Sequence, residues 1–433
     1  MNRLTVGLIG YGNVGSGVVD FLQKRKSYFK DKFNMEFELK AICDRSIKEK
    51  NPQGLDKHTY LTKNVDKVIN DPDIDVIIEL IGGVDPAKEI VLGALKKGKH
   101  IITANKSLLA YHGKELFKEA HACNRNIYFE TSVMAGVPVI KMLTEGLAGN
   151  KFNSFYGIIN GTCNFILSAM TQKNLTFGQA LAEAQARGFA ESNPTLDITG
   201  MDSAHKLAIL VSQTLGRFIT AKDIYTEGIT QISHHDIEHA ETLGLTIKLL
   251  AIAKKSNHEI EARVHPTLIS KSHSLAAVNG IFNAIFINAR PMGDVLLSGE
   301  GAGQMTAASG VISDLLHLAS RNGCPASQYL GNIYSEAPTT TIKKIDNIST
   351  RFYIRFMAAD KVGVLSKITG ILGKHKISIN SVTQKAHDRT SIVPVIILTD
   401  YAQEKMVRTA LDKIHKLGII NSKPVAIRME NLK

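Results

Sequence analysis

A chain of 433 residues, 44% hydrophobic and 21% charged with no tryptophan, is long enough for two or three cores and has the composition of an ordinary globular protein. Its 52 Lys and Arg against 40 Asp and Glu give a net charge of +12, but the basic residues are interleaved with acids and no base-reading module accompanies them. Nucleic acid is therefore set aside as a partner, and an anionic cofactor or substrate is favoured. No apolar run approaches the roughly 20 residues that cross a bilayer, so no membrane partner is expected. Met1-Asn2-Arg3-Leu4 runs straight into a strand without a leader pattern, and the expected location is cytoplasmic. The four cysteines, Cys43, Cys123, Cys163 and Cys324, are scattered with no C-x-x-C spacing, which reads as reduced structural thiols.

The pattern predicts a strand over 4–9, a helix over 13–29 and further strands at 37–43, 76–80, 100–103 and 126–130. A Pro86-started helix falls between the third and fourth strands, and a helix over 106–123 follows the fourth. Strands alternating with helices over 4–130 predict an α/β fold whose N-terminal domain is a doubly wound, Rossmann-type parallel sheet. After residue 130 helices dominate at 134–149, 174–187, 200–215 and 235–254, with strand-like pieces at 155–159, 224–228 and 284–288. This reads as an α+β catalytic and dimerisation domain over 131–304. A helix at 307–319, within a return segment of about 305–335, rejoins the first domain. A polar linker follows, and residues 351–433 spell βαββαβ, a complete split ferredoxin-like domain.

Within the first strand–helix junction lies Gly10-Tyr11-Gly12-Asn13-Val14-Gly15. The first glycine permits the tight turn, the second lets backbone approach a pyrophosphate, and the third lets helix and strand pack closely. A glycine-rich turn that binds nothing is the bland alternative; placement after a strand and before a helix favours a dinucleotide. At the end of the second strand Asp44 suits the ribose hydroxyls of NAD, whereas Arg45 and Lys48 suit the 2′-phosphate of NADP. Both signals stand side by side, and NAD(P) is the expectation. Lys106, in Thr103-Ala104-Asn105-Lys106, follows the fourth strand on the edge where such sheets bind ligands; elsewhere it would be an exposed first-turn residue.

Carboxylates and a lysine converge in the segment 188–206. Thr199 is the expected N-cap of the helix over 200–215, which places Asp202 and Lys206 at i and i+4 on one face. Glu191 and Asp197 precede it. Alone, such a pair is a solvated contact worth about 0.3–0.5 kcal/mol. The small and apolar neighbours, among them Gly188, Leu196, Ile198 and Leu207, instead predict burial, where a lysine beside acids can serve as a proton shuttle. His205 is the rival shuttle, about 100° around the helix; Lys206 is favoured.

Together with Gly7-Leu-Ile-Gly-Tyr-Gly-Asn-Val-Gly15, Ala104-Asn-Lys106 and Gly157-Ile-Ile-Asn-Gly-Thr-Cys-Asn-Phe-Ile-Leu167, the 186–206 segment resembles the homoserine dehydrogenase family, and the resemblance covers the whole chain. It implies reversible NAD(P)-linked interconversion of L-homoserine and L-aspartate 4-semialdehyde on the route to threonine and methionine. It suggests Lys206 as proton donor to the carbonyl and Lys106 as its partner near nicotinamide. Glu191, Asp197 and Asp202 would hold the substrate, with Asn160, Gly161 and Thr162 in the family's specific turn. Gly303 resembles a cofactor contact. The resemblance also implies a monovalent cation, Na+ or K+, near Glu130 and the carbonyls of Val133, Ala135 and Val137. Phe165 and Phe189 stand where many relatives carry Tyr, and Asn193 where Asp is usual. The C-terminal unit, with Asp360-Lys-Val-Gly-Val-Leu365, resembles an ACT domain, which implies pairing into a homodimer or homotetramer and feedback by L-threonine. A dimerisation module without a ligand is the alternative. For the whole chain, the competing reading is a dinucleotide- and amino-acid-binding sensor without catalysis.

One motif points elsewhere. His235-Asp-Ile-Glu-His239 matches the H-x-x-E-H zinc pattern, but Ser233 would cap a helix there, and Glu238, Glu241 and Lys248 fit a solvated face, so a metalloprotease is rejected.

Overall fold

The structure, a computed structural model, describes residues 2–215, 217–321, 340–384 and 392–432. Cys324 and the parts of the return segment and linker between 322 and 339 lie outside the described residues, as do residues 385–391 of the expected βαββαβ unit. The chain divides into two units. One comprises Met1–Ser154, Ala204–Asp223 and Ile281–Thr339; the other comprises Phe155–Ser203, Ile224–Gly280 and Thr340–Lys433.

The first unit is built on six strands: β1 (Asn2–Ile9), β2 (Met35–Cys43), β3 (Tyr60–Thr62), β4 (Val76–Glu79), β5 (His100–Thr103) and β6 (Ile127–Tyr128). Their order is β3-β2-β1-β4-β5-β6, and every pairing is parallel. The order reverses between β1 and β4, which opens the crevice beyond their carboxyl ends where doubly wound sheets take ligands. Strands buried on both faces read as continuous apolar runs, and β4 and β5 are buried at every position. β3 was not expected; its three residues are too few to show a period. Helix Gln304–Ser320 buries Val311, Ile312, Leu315 and Leu318 in the same core as β1 and helix Asn13–Lys24. Each such side chain contributes about 1.5–3 kcal/mol relative to exposure.

Two expected helices are broken. The stretch over 13–29 is two helices, Asn13–Lys24 and Lys26–Phe33, joined at Arg25. The stretch over 134–149 is divided into Thr131–Met134, Val139–Lys141 and a π-helical turn Met142–Gly146. Ala135 at φ 50° and Pro138 interrupt it, because neither can continue an α-helix.

In the second unit the strands Leu245–Ser256 and Glu259–Ser270 form an antiparallel hairpin. The C-terminal strand Val425–Met429 pairs with Glu259–Ser270 on one side and with Ser349–Ala359 on the other. Ile392–Thr399 and Ile379–Gln384 continue the order beyond Ser349–Ala359. The βαββαβ unit is thus the continuation of the preceding sheet, with helices Val364–Lys374 and Glu404–Lys416 closing its own core.

The expected helix over 235–254 is corrected here. Helix His234–Thr242 ends before Gly244, at φ 69°, and Leu245–Ser256 is a strand. Lys248 does not lie on a solvated face. It is 2% exposed and donates to the Val278 carbonyl at 2.6 Å and to Asn279 Oδ1 at 3.0 Å. Burial pulls its ammonium down to about 8. The apolar run around it does not distinguish a buried strand from a helix, and one lysine in that run mimicked a polar face.

Candidate active site

The dinucleotide turn has the required geometry. Gly10 adopts φ +102°, and a Cβ there would stand 2.6 Å from the Leu80 backbone; Gly15's would stand 2.1 Å from the Gly10 carbonyl oxygen. Neither position admits a side chain. At Gly12, by contrast, a Cβ would meet nothing within 4 Å, so the backbone is open to a pyrophosphate. No side chain caps helix Asn13–Lys24, which leaves its first N–H groups for phosphate oxygens. Tyr11, Asn13 and Val14 complete the turn. Gly303 precedes helix Gln304–Ser320, whose Gln304 amide donates to the Ser16 hydroxyl at 2.9 Å. The Gly303 end of that helix therefore lies beside the dinucleotide turn.

Asp44 is tied to the same turn. Its carboxylate accepts the Tyr11 N–H at 2.8 Å, the Ser46 N–H at 2.9 Å and the Lys50 ammonium at 2.9 Å. Burial opposes its ionisation, but the bonds from Lys50, Ser46 and Tyr11 outweigh burial and hold it down to about 2. The carboxylate is ionised and partly neutralised by Lys50, while Arg45 and Lys48 are exposed beside it. Both ribose-site signals persist.

Lys106 is the first residue of helix Lys106–Ala122, half-buried after β5. Asn105 caps that helix through the Leu108 N–H at 3.1 Å and donates to the Gly83 carbonyl at 2.8 Å. Behind it Glu79, fully buried at the end of β4, accepts the Thr103 hydroxyl at 2.6 Å and the Ile81 N–H at 2.9 Å. Burial raises the Glu79 carboxyl despite these bonds. Sequence reasoning missed Glu79; the signal was a carboxylate ending an otherwise apolar strand.

Elements of the second unit bring Asn160, Asp197 and Asp202 together. Asn160 caps helix Gly161–Lys173 by accepting the Cys163 N–H at 2.8 Å. Its amide donates to Asp197 at 2.7 Å and Asp202 at 2.9 Å. One neutral amide thus bonds two carboxylates and holds them side by side. Thr162 donates to the Phe189 carbonyl at 2.7 Å, and the Phe165 and Phe189 rings meet edge to face at 5.1 Å. Glu191 and Leu196 are exposed rather than buried, so the apolar enclosure expected around the whole segment is limited to its helical part. Thr199 stands one residue before the N-cap position, which Gly200 takes as the helix begins at Met201; its hydroxyl donates to the Thr195 carbonyl at 2.6 Å.

Asp202, 5% exposed, and Lys206, 8% exposed, lie one turn apart on that helix. His205 turns elsewhere, its Nε2 3.3 Å from the Tyr111 hydroxyl. The H-x-x-E-H motif is also accounted for: Ser233 and Asp236 form a capping box, Asp236 pairs with Arg355 at 2.7 Å, and no cluster of metal-ligating side chains occurs among the described residues.

Comparison with known proteins fits this geometry. A family profile described as the NAD-binding domain of homoserine dehydrogenase matches residues 10–130, one described as homoserine dehydrogenase matches 138–316, and one described as ACT domain matches 352–418. The chain is similar to a homoserine dehydrogenase from Neisseria gonorrhoeae, 38% identical over 100% of both chains. A solved homoserine dehydrogenase from Thiobacillus denitrificans is 39% identical with a TM-score of 0.92, covering 100% of this chain and 99% of that one. A hyperthermophilic archaeal homoserine dehydrogenase in complex with NADPH is 25% identical with a TM-score of 0.62, covering 74% of this chain and 98% of that one.

Fold, dinucleotide turn and clustered carboxylates define an NAD(P)-dependent oxidoreductase with an ACT domain at its C-terminus. More narrowly, the chain belongs to the homoserine dehydrogenase family. No helix among the described residues is long and apolar enough to cross a membrane.

Proposed function

We propose that this chain interconverts L-homoserine and L-aspartate 4-semialdehyde, supplying threonine and methionine synthesis in the cytoplasm. The observation that carries the reading is the Asn160 amide shared between Asp197 and Asp202 one turn before the buried Lys206. In this reading residues 1–130 with the return segment bind the dinucleotide, 131–304 bind substrate and dimerise, and 351–433 regulate.

Gly10, Gly12 and Gly15 with the N–H groups that follow would cradle the pyrophosphate, and Asp44 and Arg45 would face the adenosine ribose. When bound, the nicotinamide supplies or receives the hydride. Asp197 and Asp202, joined by Glu191 at the rim, hold the substrate's ammonium and hydroxyl. The Lys206 ammonium gives a proton to the carbonyl oxygen in reduction and recovers it in oxidation, with Lys106 beside the nicotinamide; Asn160, Gly161 and Thr162 shape the floor. Absorbance at 340 nm with homoserine and either NAD or NADP is expected to rise. No signal with either cofactor would favour a sensor without catalysis. An L-threonine effector and a homodimer or homotetramer belong to the same reading, checked by inhibition and by light scattering.

A monovalent cation suits the Glu130 turn. The Glu130 carboxylate accepts the N–H groups of Ile140 at 2.7 Å and Lys141 at 2.9 Å. Burial and then the neighbouring Asp314 carboxylate raise it to about 7. Na+ or K+ held by Glu130 and the carbonyls of Val133, Ala135 and Val137 would relieve that repulsion. The sign of the pH dependence follows. A carboxyl with a raised native pKa contributes stability below its unfolded value of about 4.5, and the contribution is lost as pH rises to about 7. Denaturation midpoints are expected to fall across that window, less steeply in saturating K+ or Na+, and to flatten in Glu130→Gln. An unchanged slope in that variant would remove Glu130 from the account.

A further inference from the structure

Strand β4 is buried at every position, yet it ends on an acid. Glu79 is fully buried, and the groups that meet its carboxylate come from two separate segments. From the turn after β4 come the Ile81 N–H, at 2.9 Å, and the Gly82 N–H. From the end of β5 come the Thr103 hydroxyl, at 2.6 Å, and the Asn105 amide. Neutral donors, not a lysine or arginine, meet this carboxylate among the described residues. Taking a carboxylate out of water is costly, and an apolar side chain would close a strand end equally well. An acid kept there against that cost points to a task in the crevice where doubly wound sheets take ligands.

Both segments lead into that crevice. Leu80, next in the chain, lies against the dinucleotide turn, since a Cβ on Gly10 would stand 2.6 Å from its backbone. Gly82 and Gly83 follow at φ +70° and +74°, and a Cβ on either would meet nothing within 4 Å, so this turn presents bare backbone on an open side. On the β5 side, Asn105 caps the helix that begins at Lys106 and donates to the Gly83 carbonyl at 2.8 Å. The Thr103 hydroxyl that bonds Glu79 also accepts the Asn105 N–H at 3.0 Å. One carboxylate is therefore the common anchor of the Gly82-Gly83 turn and of the base of the Lys106 helix. Glu79→Gln would leave one acceptor oxygen and turn an NH2 group toward the remaining donors, so both segments could not be held at once.

We propose that Glu79 is a positioning residue of the dehydrogenase, fixing the Gly82-Gly83 turn and Lys106 as one rigid surface for the nicotinamide end of the cofactor. It acts through Lys106, and the inference rests on the dehydrogenase reading above. The test compares Glu79→Gln, Lys106→Ala and the double variant in the full chain, by single-turnover hydride transfer from homoserine and by amide hydrogen exchange without cofactor. Glu79→Gln is expected to slow hydride transfer by about 10–100-fold, the effect of a misplacement on the order of 1 Å, with the KM for homoserine changed by less than about threefold. Added to Lys106→Ala, it is expected to cost less than about threefold more, because the group it positions is already gone. Without cofactor, exchange should rise together at Ile81, Gly82, Asn105 and Leu108 and stay unchanged within the strands of the sheet. Thr103→Val, which removes the link from the β5 side, carries the same expectations should Glu79→Gln not fold, with Thr103→Ser restoring the parent behaviour. Near-normal hydride transfer in Glu79→Gln, or full additivity with Lys106→Ala, would overturn the proposal. Exchange raised throughout β1, β4 and β5 would overturn it too, by making Glu79 a core residue and no more. A parent chain that oxidises homoserine with neither NAD nor NADP would overturn the dehydrogenase reading and this role with it, while exchange would still report whether one carboxylate holds both segments.

Discussion

Replacing Lys206 by Ala is expected to lower turnover by about 10²–10⁴-fold, the typical contribution of a positioned acid–base group, while the dissociation constant for NAD(P) stays within about threefold, less than one hydrogen bond's worth. The reason lies in what surrounds that position. Lys206 is 8% exposed on a helix whose preceding turn carries Asp202, itself fixed by the Asn160 amide. An ammonium in a desolvated, acid-lined place can release and recover a proton, whereas water cannot replace it at the same point. Lys206→Met keeps most of the volume and removes the charge, so equal losses in the Ala and Met variants would assign the effect to the amine rather than to a cavity. His205→Asn should lose far less, because the imidazole is turned to Tyr111. Single-turnover measurement of hydride transfer decides the matter, and near-normal turnover in Lys206→Met would end the assignment.

The parts of this protein that sequence disclosed are those whose cause is local. The glycine turn is legible because Gly10 and Gly15 meet backbone within a few residues or across adjacent strands. Asp202 and Lys206 are legible because helix period alone sets their spacing. The presence of strands β1, β2, β4, β5 and β6 in a parallel sheet follows from the alternation of apolar runs with helices. What stayed hidden depends on partners far along the chain. Glu79 acquires its role only when β5 brings Thr103 beside it, and Tyr111 only when His205 arrives. Thr199 has a capping hydroxyl, but the helix starts at Met201, one residue too late for it to take the N-cap position. Lys248 misled for the opposite reason: a strand buried on both faces has no polar alternation, and its ammonium is satisfied by the carbonyl of Val278 and the amide of Asn279, which no local pattern announces. Arg355 and Arg428 likewise give no sequence sign of the acids they meet.

Removal of Asp236 is expected to be among the most destabilising single changes in the second unit, by about 3–5 kcal/mol, because it strands a buried guanidinium. Asp236 is fully buried and Arg355 is 9% exposed. They meet through two bonds, at 2.7 and 3.0 Å, and the same carboxylate accepts the Ser233 N–H and hydroxyl that start helix His234–Thr242. Arg355 comes from the first strand of the βαββαβ unit, so the residues that resembled a zinc motif instead fasten that unit to the sheet before it. Tyr353 beside it is fully buried, and burial and the adjacent carboxylate push its hydroxyl far above the ordinary phenol range. Asp236→Ala should lower the denaturant midpoint by that free energy divided by the denaturant slope. Adding Arg355→Met to it should recover most of the loss, since a buried pair replaced by apolar groups is often neutral. The capping contribution, about 1 kcal/mol, should remain missing in the double variant and return in Asp236→Asn with Arg355→Met. Strict additivity of the two single changes would mean that the pair does not hold this junction together, and the docking of the C-terminal unit would then rest on Arg428 and its two carboxylates, Glu227 and Glu404.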